Sequence, residues 1–392
     1  MPWKSISILG QRSRFVKLAL KAQQTMARLC HRFGISRKTG YKWIERFQQD
    51  GRRGLRDRSR RPRRSPRRTD RVWRERIRRW RRRDRNWGGK KIRAKLCRDH
   101  PRQAVPSVRT ITNCLQRLKL SRVRRRRPRK GPRVQRKALT VARRSNHVWT
   151  VDFKGWFRTQ DGNRIEPLTV RDLFSRFVLA VRLLPDQSWW RVRAVFVALI
   201  RQHGCPKVIR VDNGGPFGST GPGGLSRLSV WWTSLGIRVE FIAPGHPEQN
   251  GAHEQMHRVL KCETMRPPSS TARAQQRRTH RWVSHYNQIR PHEGLGQKAP
   301  AEVYRPAGGR VGWRSGKTKY PATWAGRRVR SNGEIKWQGR KRFVGEAFVG
   351  HRVGLRAMGG GVFAVYFGRM LVGELREADA GGMRPAVYLR PG

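Results

Sequence analysis

VWTVDFKGWF (residues 148–157) and RVDNGGPF (residues 210–217) are the two stretches that decide the fold. Each carries one aspartate within or just after a short apolar run, the pattern of a buried strand. Asp152 stands mid-strand between apolar neighbours, where a lone carboxylate would be costly to bury. Asp212 follows the run 208–211 and precedes a turn, and catalytic groups collect at such strand ends in α/β sheets. The two stretches therefore predict a sheet that carries a pair of acids.

Two neighbouring aspartates repel each other unless a cation lies between them. Oxygen ligands with open positions suit Mg²⁺, which keeps waters and can bind a substrate phosphate. Two such ions about 3.5–4 Å apart would activate a nucleophile and stabilise a leaving oxygen in phosphoryl transfer. We therefore predict that Asp152 and Asp212 bind two magnesium ions, with manganese able to replace them.

The chain around the two acids predicts an α/β domain over residues 145–306. The strands expected after the first are at 165–172, 177–184, 208–211 and 239–242, and the helices at 189–203, 251–262 and 275–286. Strands that come first and then alternate with helices indicate a mixed sheet. The last region, 321–390, has short β segments punctuated by glycine and predicts a small all-β barrel.

The N-terminal region, 1–58, is predicted to be a helix-turn-helix domain. Gly34 ends its second helix, and Ser36 is placed to cap a third helix over 37–47. Basic and aromatic residues near the start of that helix would enter the major groove of DNA. They are Arg37, Lys38, Tyr41 and Lys42.

A second helix-turn-helix-like domain is predicted over 70–120, where apolar residues recur at helical spacing. Basic linkers at 59–69 and 121–144 lie on either side of it, and both have little to bury. The second linker contains four consecutive arginines that are expected to contact DNA phosphates. They are Arg124, Arg125, Arg126 and Arg127.

Composition points to nucleic acid as the partner of the chain. Its 392 residues include 91 Lys and Arg against 24 Asp and Glu, a formal net charge of +67. The sequence has no transmembrane run or signal peptide, so we expect no membrane contact. Five scattered cysteines fit a reducing cytoplasm, and a chain of this charge is expected to associate with the cell's DNA. Composition alone does not separate a repressor from an enzyme.

Several long motifs resemble insertion-sequence transposases related to retroviral integrases. Besides the two aspartate stretches, these are PGHPEQNGAHEQMHRVLK (244–261) and HYNQIRPHEGLGQKAPAEVY (285–304). The N-terminal LCHRFGISRKTGYKWIERF (29–47) and the C-terminal segments in 327–375 resemble the subgroup with tandem helix-turn-helix units and a tail barrel. The resemblance covers nearly the whole chain. It implies an RNase H-like catalytic fold and a metal-dependent Asp–Asp–Glu site.

The glutamate of that site is a choice between Glu248 and Glu254. Glu248 leaves 35 residues after Asp212, a separation found in many relatives, whereas Glu254 leaves 41. In relatives the catalytic acid follows the motif glycine by three residues, and the position three after Gly251 is Glu254. We therefore assign Glu254 as the third catalytic and metal-binding residue. The longer interval is attributed to a glycine-rich insertion over 218–225.

Placed after Asn250-Gly251, Glu254 is expected in the first turn of a helix. Arg258 and Lys261 follow it at i+4 and i+7, on the same helix face, and are expected to point to DNA phosphate.

Other residues near these motifs are expected to have structural roles. Asp172 is predicted to be structural, and His253 and His257 are either DNA-proximal or packing residues. Asn213 and Gly214 would shape the turn that presents Asp212. Trp149 and Trp156 would pack in the core, while Tyr286, Asn287, Arg290 and Pro291 would brace the domain.

The function implied is that of a DNA transposase on double-stranded DNA, both the element's terminal repeats and a target. Metal-activated water would cut each element end, and the freed 3′-hydroxyl would attack target DNA at the same metal pair. The chain would act as a dimer or tetramer of identical copies. A helix-turn-helix regulator, a nuclease that cuts without joining and an inactive relic remain the alternatives.

Overall fold

The computed structural model describes residues 7–59, 69–121, 139–243, 246–306 and 319–384 of the 392-residue chain. The chain forms two compact units, Met1–Arg68 and Thr69–Gly392, which are described separately. The four consecutive linker arginines, 124–127, lie outside the described residues.

The first unit contains three helices: α1 (Ile8–Leu20), α2 (Met26–Arg32) and α3 (Arg37–Asp50). Gly34 has a φ of +62° and turns the chain between α2 and α3, a conformation that favours glycine. Ser36 begins α3, because its hydroxyl accepts a hydrogen bond from the backbone N–H of Thr39 at 3.2 Å. A small apolar core holds the helices together, with Phe15, Val16, Leu29, Cys30, Trp43 and Leu55 buried. This is the helical arrangement that the sequence predicts for the N-terminal region.

The second unit starts with three more helices: α4 (Arg71–Arg83), α5 (Gly89–Asp99) and α6 (Val108–Arg117). Ser107 caps α6 as Ser36 caps α3, accepting a hydrogen bond from the N–H of Thr110 at 3.2 Å. The core between these helices is formed by Ile77, Trp87, Ile92, Leu96, Ile111, Cys114 and Leu115.

An α/β region follows. Its elements in chain order are β1 (Val148–Phe153), β2 (Phe157–Arg158), β3 (Arg164–Asp172), β4 (Val178–Leu184), α7 (Trp189–His203), β5 (Val208–Val211), α8 (Arg227–Ser234), β6 (Arg238–Phe241), α9 (Gly251–Thr264), α10 (Ala272–Gln288) and α11 (Pro300–Val303). Short β2, helix α8 and the single-turn helix α11 are elements that the sequence did not predict. In α8 five of eight residues are buried, so its apolar stretch has no clear helical periodicity to read.

The sheet of this region is mixed, as predicted. Strand β3 pairs antiparallel with β1, β2 and β4, and β1 continues in parallel to β5 and then to β6. Its main core packs α7 and α8 on the sheet around Trp149, Phe196 and Trp232. The predicted RNase H-like α/β class is confirmed by this topology.

The C-terminal region is all β, as predicted. Its strands are β7 (Ala325–Arg328), β8 (Glu334–Trp337), β9 (Arg340–Phe343), β10 (Arg352–Gly359), β11 (Val362–Phe367) and β12 (Met370–Arg376). They form an antiparallel four-stranded sheet in the order β12-β11-β10-β7 and a β8-β9 hairpin. Leu225 and Val230 of the α/β region lie in the same apolar core as these strands. The C-terminal β domain therefore packs on the α/β region at the end of the insertion 218–225 and at α8.

The second helical unit, α4 to α6, packs against α10 and the segment after it. His285 lies 3.5 Å from the buried carboxylate of Asp84, and its ring lies 6.0 Å from that of Trp87. Asn86 donates a hydrogen bond to Glu263 at 2.9 Å. Further along, Arg98 pairs with Glu302 at 2.7 Å and donates to the carbonyl of Gln297 at 2.8 Å, and Lys90 pairs with Glu293. These contacts make the second helical unit part of the same body as the sheet.

Candidate active site

Strand register brings Asp152 and Asp212 side by side. The parallel pairing of β1 with β5 sets Thr150 opposite Arg210, and each aspartate follows two residues later in the chain. Adjacent strands are about 4.8 Å apart, so the two carboxylates emerge at neighbouring positions on one sheet edge. Asp212 is the first residue after β5, the strand end expected from the sequence.

The two aspartates act on each other electrostatically. Burial, followed by the negative charge of Asp212, raises the pKa of Asp152 to about 7. Burial also raises the pKa of Asp212. Its Oδ1 atom is buried and accepts no hydrogen bond from any residue that the structure describes. A buried carboxylate oxygen with an open lone pair beside a second carboxylate suits a divalent cation, so these residues fit the predicted metal.

Glu254 approaches the same edge from α9. It lies in the first turn of that helix, is exposed, and its negative charge adds to those that raise the pKa of Asp152. Arg258 and Lys261 are also exposed on α9, at the i+4 and i+7 positions. Glu248 lies on the single turn Pro247–Asn250 that precedes α9, and its side chain is outside what the structure describes. Of the two candidate glutamates, only Glu254 therefore has a described contribution to the aspartate pair.

The opposite face of α9 is buried and polar. The ring of His253 has Nδ1 at 2.8 Å from the hydroxyl of Thr150 and Nε2 at 2.6 Å from that of Thr169. His257 places Nε2 at 2.7 Å from Thr169 and Nδ1 at 3.6 Å from Oδ2 of Asp152. These contacts join α9 to β1 and β3. Of the two roles that the sequence left open for these histidines, packing is therefore the one the structure shows.

Asp152, His253 and His257 also form a second possible metal set, because one ligand atom from each lies within 4.8 Å of the others. Both ring nitrogens of His253 already face hydroxyl groups, and the residue is fully buried. Burial lowers the pKa of His253 well below its usual value and that of His257 to about 3, so both rings are neutral. These hydrogen bonds occupy the two histidines as supports of the sheet next to Asp152.

The sequence did not identify this histidine–threonine network. Its signal was present, because His253 and His257 are four residues apart and therefore share a helix face with apolar Met256 and Leu260. Their threonine partners come from β1 and β3, and only the folded sheet brings them together.

Most other residues near the motifs hold turns, as expected. Asp172 accepts hydrogen bonds from the N–H of Asn146 and from both the N–H and hydroxyl of Ser175, and is fully buried. Asn213 donates to the carbonyl of Ile242 at 2.9 Å.

In the last long helix, Asn287 makes two hydrogen bonds of 2.9 Å to the backbone of Val178, while Arg290 pairs with Glu263 at 3.2 Å. Tyr286 is buried beside Trp282. These contacts brace α10 against β4 and the end of α9.

One packing prediction is wrong. Trp149 is fully buried, but Trp156 is 56% exposed. Gly155 has a φ of +83° and turns the chain away from β1, so Trp156 lies in the connection to β2 and not on a strand face.

Family models match five segments of the chain. They are a helix-turn-helix domain at 11–63, a homeodomain-like domain at 39–115, two integrase core domain models at 142–247 and 235–300, and the C-terminal domain of the IS481 family transposases at 325–378. Both integrase core matches lie over the sheet and helices that carry the acids. Segment by segment, the chain is therefore similar to insertion-sequence transposases that have an integrase core, the family that its motifs resemble.

Two proteins that are similar in sequence to this chain are also encoded by insertion elements. An uncharacterized 31.7 kDa protein of insertion element IS407 from Burkholderia multivorans is 30% identical over 46% of this chain. An uncharacterized 39.2 kDa protein of insertion element IS476 from Xanthomonas euvesicatoria is 33% identical, also over 46%. The matched segments span 63% and 51% of the lengths of these two relatives.

Solved structures similar to the chain include the HTLV-2 integrase catalytic core domain in complex with magnesium. It is 17% identical, with a TM-score of 0.34, and covers 42% of this chain and 100% of that one. A simian T-cell lymphotropic virus intasome in complex with a PP2A regulatory subunit is 15% identical, with a TM-score of 0.35, over 70% and 87% of the two chains. Within the described residues, no helix is long and apolar enough to span a membrane.

Proposed function

We propose that this chain is a DNA transposase that cuts the ends of its mobile element and joins them to target DNA with the help of bound magnesium. The observation that carries the proposal is the convergence of Asp152, Asp212 and Glu254 on one sheet edge, in a chain of net charge +67. A regulator that only binds DNA would have no use for three carboxylates held together against their mutual repulsion.

Each acid has a distinct place in this proposed site. Asp152 and Asp212 would bind the ions from the sheet, and Glu254 would complete the set from α9. When bound, a magnesium pair supplies nucleophile activation and neutralises charge on the phosphate. Arg258 and Lys261, on the exposed face of the same helix, would hold the DNA backbone next to the acids.

Support for the acids comes from the buried side of α9. His253 and Thr169 tie this helix to the sheet, and His257 faces Asp152 directly. Residues that hold metal ligands in place typically contribute a 10–100-fold effect on metal affinity or activity. We assign the two histidines this positioning role.

DNA recognition is assigned to the helical units. Arg37, Lys38, Tyr41 and Lys42 are all exposed on α3, where their side chains can reach base edges. We propose that this helix reads the terminal repeats, that the linker arginines add phosphate contacts, and that copies of the chain assemble on the two element ends. The cell interior, where the bacterial DNA lies, would be the site of action.

The deciding experiment incubates purified chain with labelled element-end duplex and a target plasmid. We expect cut ends and joined products with magnesium or manganese, little chemistry with calcium, and none in EDTA, because calcium coordinates loosely at about 2.3–2.6 Å. Asp212→Asn should abolish both products and leave end binding intact. Asp186→Asn, at an exposed aspartate outside the site, is the matched control and should cut like the wild type.

Each alternative predicts a different result in the same assay. Binding without any cutting would identify a regulator, or a relic whose active site no longer works. Cutting without joined product would identify a nuclease. Full turnover in EDTA would rule out the metal mechanism.

A further inference from the structure

The connection after β1 presents an aromatic ring flanked by two cations. Trp156 is 56% exposed, and the guanidinium carbons of Arg164 and Arg158 lie 4.9 Å and 6.0 Å from its ring centroid. We call Trp156, Arg158 and Arg164 the Trp156 platform. A large exposed indole costs free energy in water, and a chain of this charge gains from an anionic partner.

The platform is held in place by hydrogen bonds. Arg158 donates to the carbonyl of Gly162 at 2.8 Å, and Arg158 and Arg164 are paired across β2 and β3. Arg164 donates to Glu166 at 2.6 Å and 3.1 Å, and this buried carboxylate also accepts from Gln187 at 3.0 Å. Both arginines therefore keep their positions beside the ring before any partner arrives.

The platform lies next to the proposed chemistry in the chain. Trp156 is four residues after Asp152, and only the last residue of β1 and the turn residues Lys154 and Gly155 separate them. Lys154 in that turn is close enough to Asp152 for its charge to act on the carboxylate. A DNA strand that places a phosphate at the acids therefore has neighbouring nucleotides within reach of this turn.

The geometry points to an unpaired DNA base as the partner: we propose that the Trp156 platform stacks on a base released from the duplex next to the cutting site. This inference rests on the proposed function, since it takes DNA as the substrate. A nucleotide satisfies both halves of the platform, because its base can stack on the indole while its phosphate meets the guanidinium groups. An acidic peptide would satisfy the arginines but leave the ring without a stacking partner.

The test measures binding of full-length chain to two duplexes of the same sequence, without divalent metal. One is blunt, and the other has a three-nucleotide single-stranded overhang that carries 2-aminopurine, whose fluorescence falls when the base stacks. Each pair is made once with the element-end sequence and once with unrelated, target-like sequence. The comparison shows whether the unpaired base comes from the element end or from the target. Trp190→Ala is the matched control, because Trp190 is 52% exposed and lies 4.1 Å from the guanidinium of Arg191 on a different element.

We expect wild-type chain to prefer the overhang duplex and to quench its fluorescence. Trp156→Ala should weaken binding to the overhang duplex by about 5- to 150-fold and so remove the preference. This loss corresponds to about 1–3 kcal/mol for one stacked base. Trp156→Phe should restore part of it, and Trp190→Ala should change neither duplex. Equal weakening of both duplexes by Trp156→Ala, or no effect at all, would overturn the inference. If wild-type chain bound neither duplex, the proposed function itself would fail.

Discussion

The two helical units share one local design and differ in what surrounds them. In both, a third helix begins with a serine that caps the N–H of a threonine three residues later, Ser36 in one and Ser107 in the other. The first helical unit, α1 to α3, belongs to the compact body Met1–Arg68. The second helical unit, α4 to α6, belongs to the same body as the sheet, Thr69–Gly392. Only the second therefore has a described, fixed relation to the carboxylates.

This difference separates two tasks in DNA binding. Helices α4 to α6 pack on the α/β region through Asp84, Trp87 and His285, so DNA bound to them would lie at a constant distance from the acids. If the compact first unit also folds by itself, it could read a DNA sequence before the rest of the complex forms. We infer that α3 recognises the sequence of the element ends, and that the second helical unit, α4 to α6, aligns bound DNA with the active site.

The largest effect should come from Glu254, which lies in the same body as the second helical unit, Thr69–Gly392. Glu254→Gln should lower cleavage by at least about a thousandfold while binding to element ends stays within about twofold, because the acid holds metal and not DNA. Glu248→Gln is the control and should cut normally. The cleavage rate of each variant is measured on DNA that is already bound, and binding to element ends is titrated separately. If Glu248→Gln stops cleavage and Glu254→Gln does not, the assignment from motif placement is wrong.

A smaller effect is expected on DNA affinity when substitutions in the two helical units are compared. Arg37→Ala or Lys42→Ala should weaken binding to element ends by about 5- to 150-fold, the equivalent of about 1–3 kcal/mol, with little change on random DNA. Arg109→Ala, at an exposed position on α6, should weaken both DNAs to a similar and lesser extent. Titrations of both DNAs at several salt concentrations provide the measurement. Loss of end preference in the Arg109 variant alone would exchange the two roles.

How much of this could be predicted from sequence depends on the distance over which each signal acts. Ser36 and its helix follow from local capping chemistry, and the strands carrying Asp152 and Asp212 follow from short apolar runs. The sequence predicts the two aspartates as neighbours, whereas the parallel pairing that brings them together is seen in the structure. The fold class and the resemblance to insertion-sequence transposases therefore follow from the sequence.

Signals that depend on distant segments were not accessible. The threonine partners of His253 come from two strands about a hundred residues earlier in the chain, so no local pattern links them. The exposed position of Trp156 depends on the positive φ of the preceding glycine, which overrides the usual tendency of tryptophan to be buried. Docking of the C-terminal strands on Leu225 and Val230 likewise required the assembled body.

The smallest effect tests whether the two units are separate at all. Ser36→Ala and Ser107→Ala remove the same cap: in each, the serine hydroxyl lies 3.0 Å from that of its threonine and accepts from the threonine N–H at 3.2 Å. Each change should lower the free energy of unfolding by about 1 kcal/mol. The resulting shift in melting temperature depends on how many residues unfold together, because a larger body has a larger unfolding entropy.

For the first unit, of Met1–Arg68, we therefore expect Ser36→Ala to lower its own thermal transition by about 4–8 °C and to leave the other transition unchanged. Ser107→Ala belongs to the far larger body, so the same loss should move that transition by about 2–4 °C or less. Differential scanning calorimetry of the full chain resolves the two transitions. A single transition that both substitutions shift equally would mean that the first unit unfolds together with the rest. In that case α3 would not be free to read DNA before the acids are in place, and the division of tasks between the two units would fail.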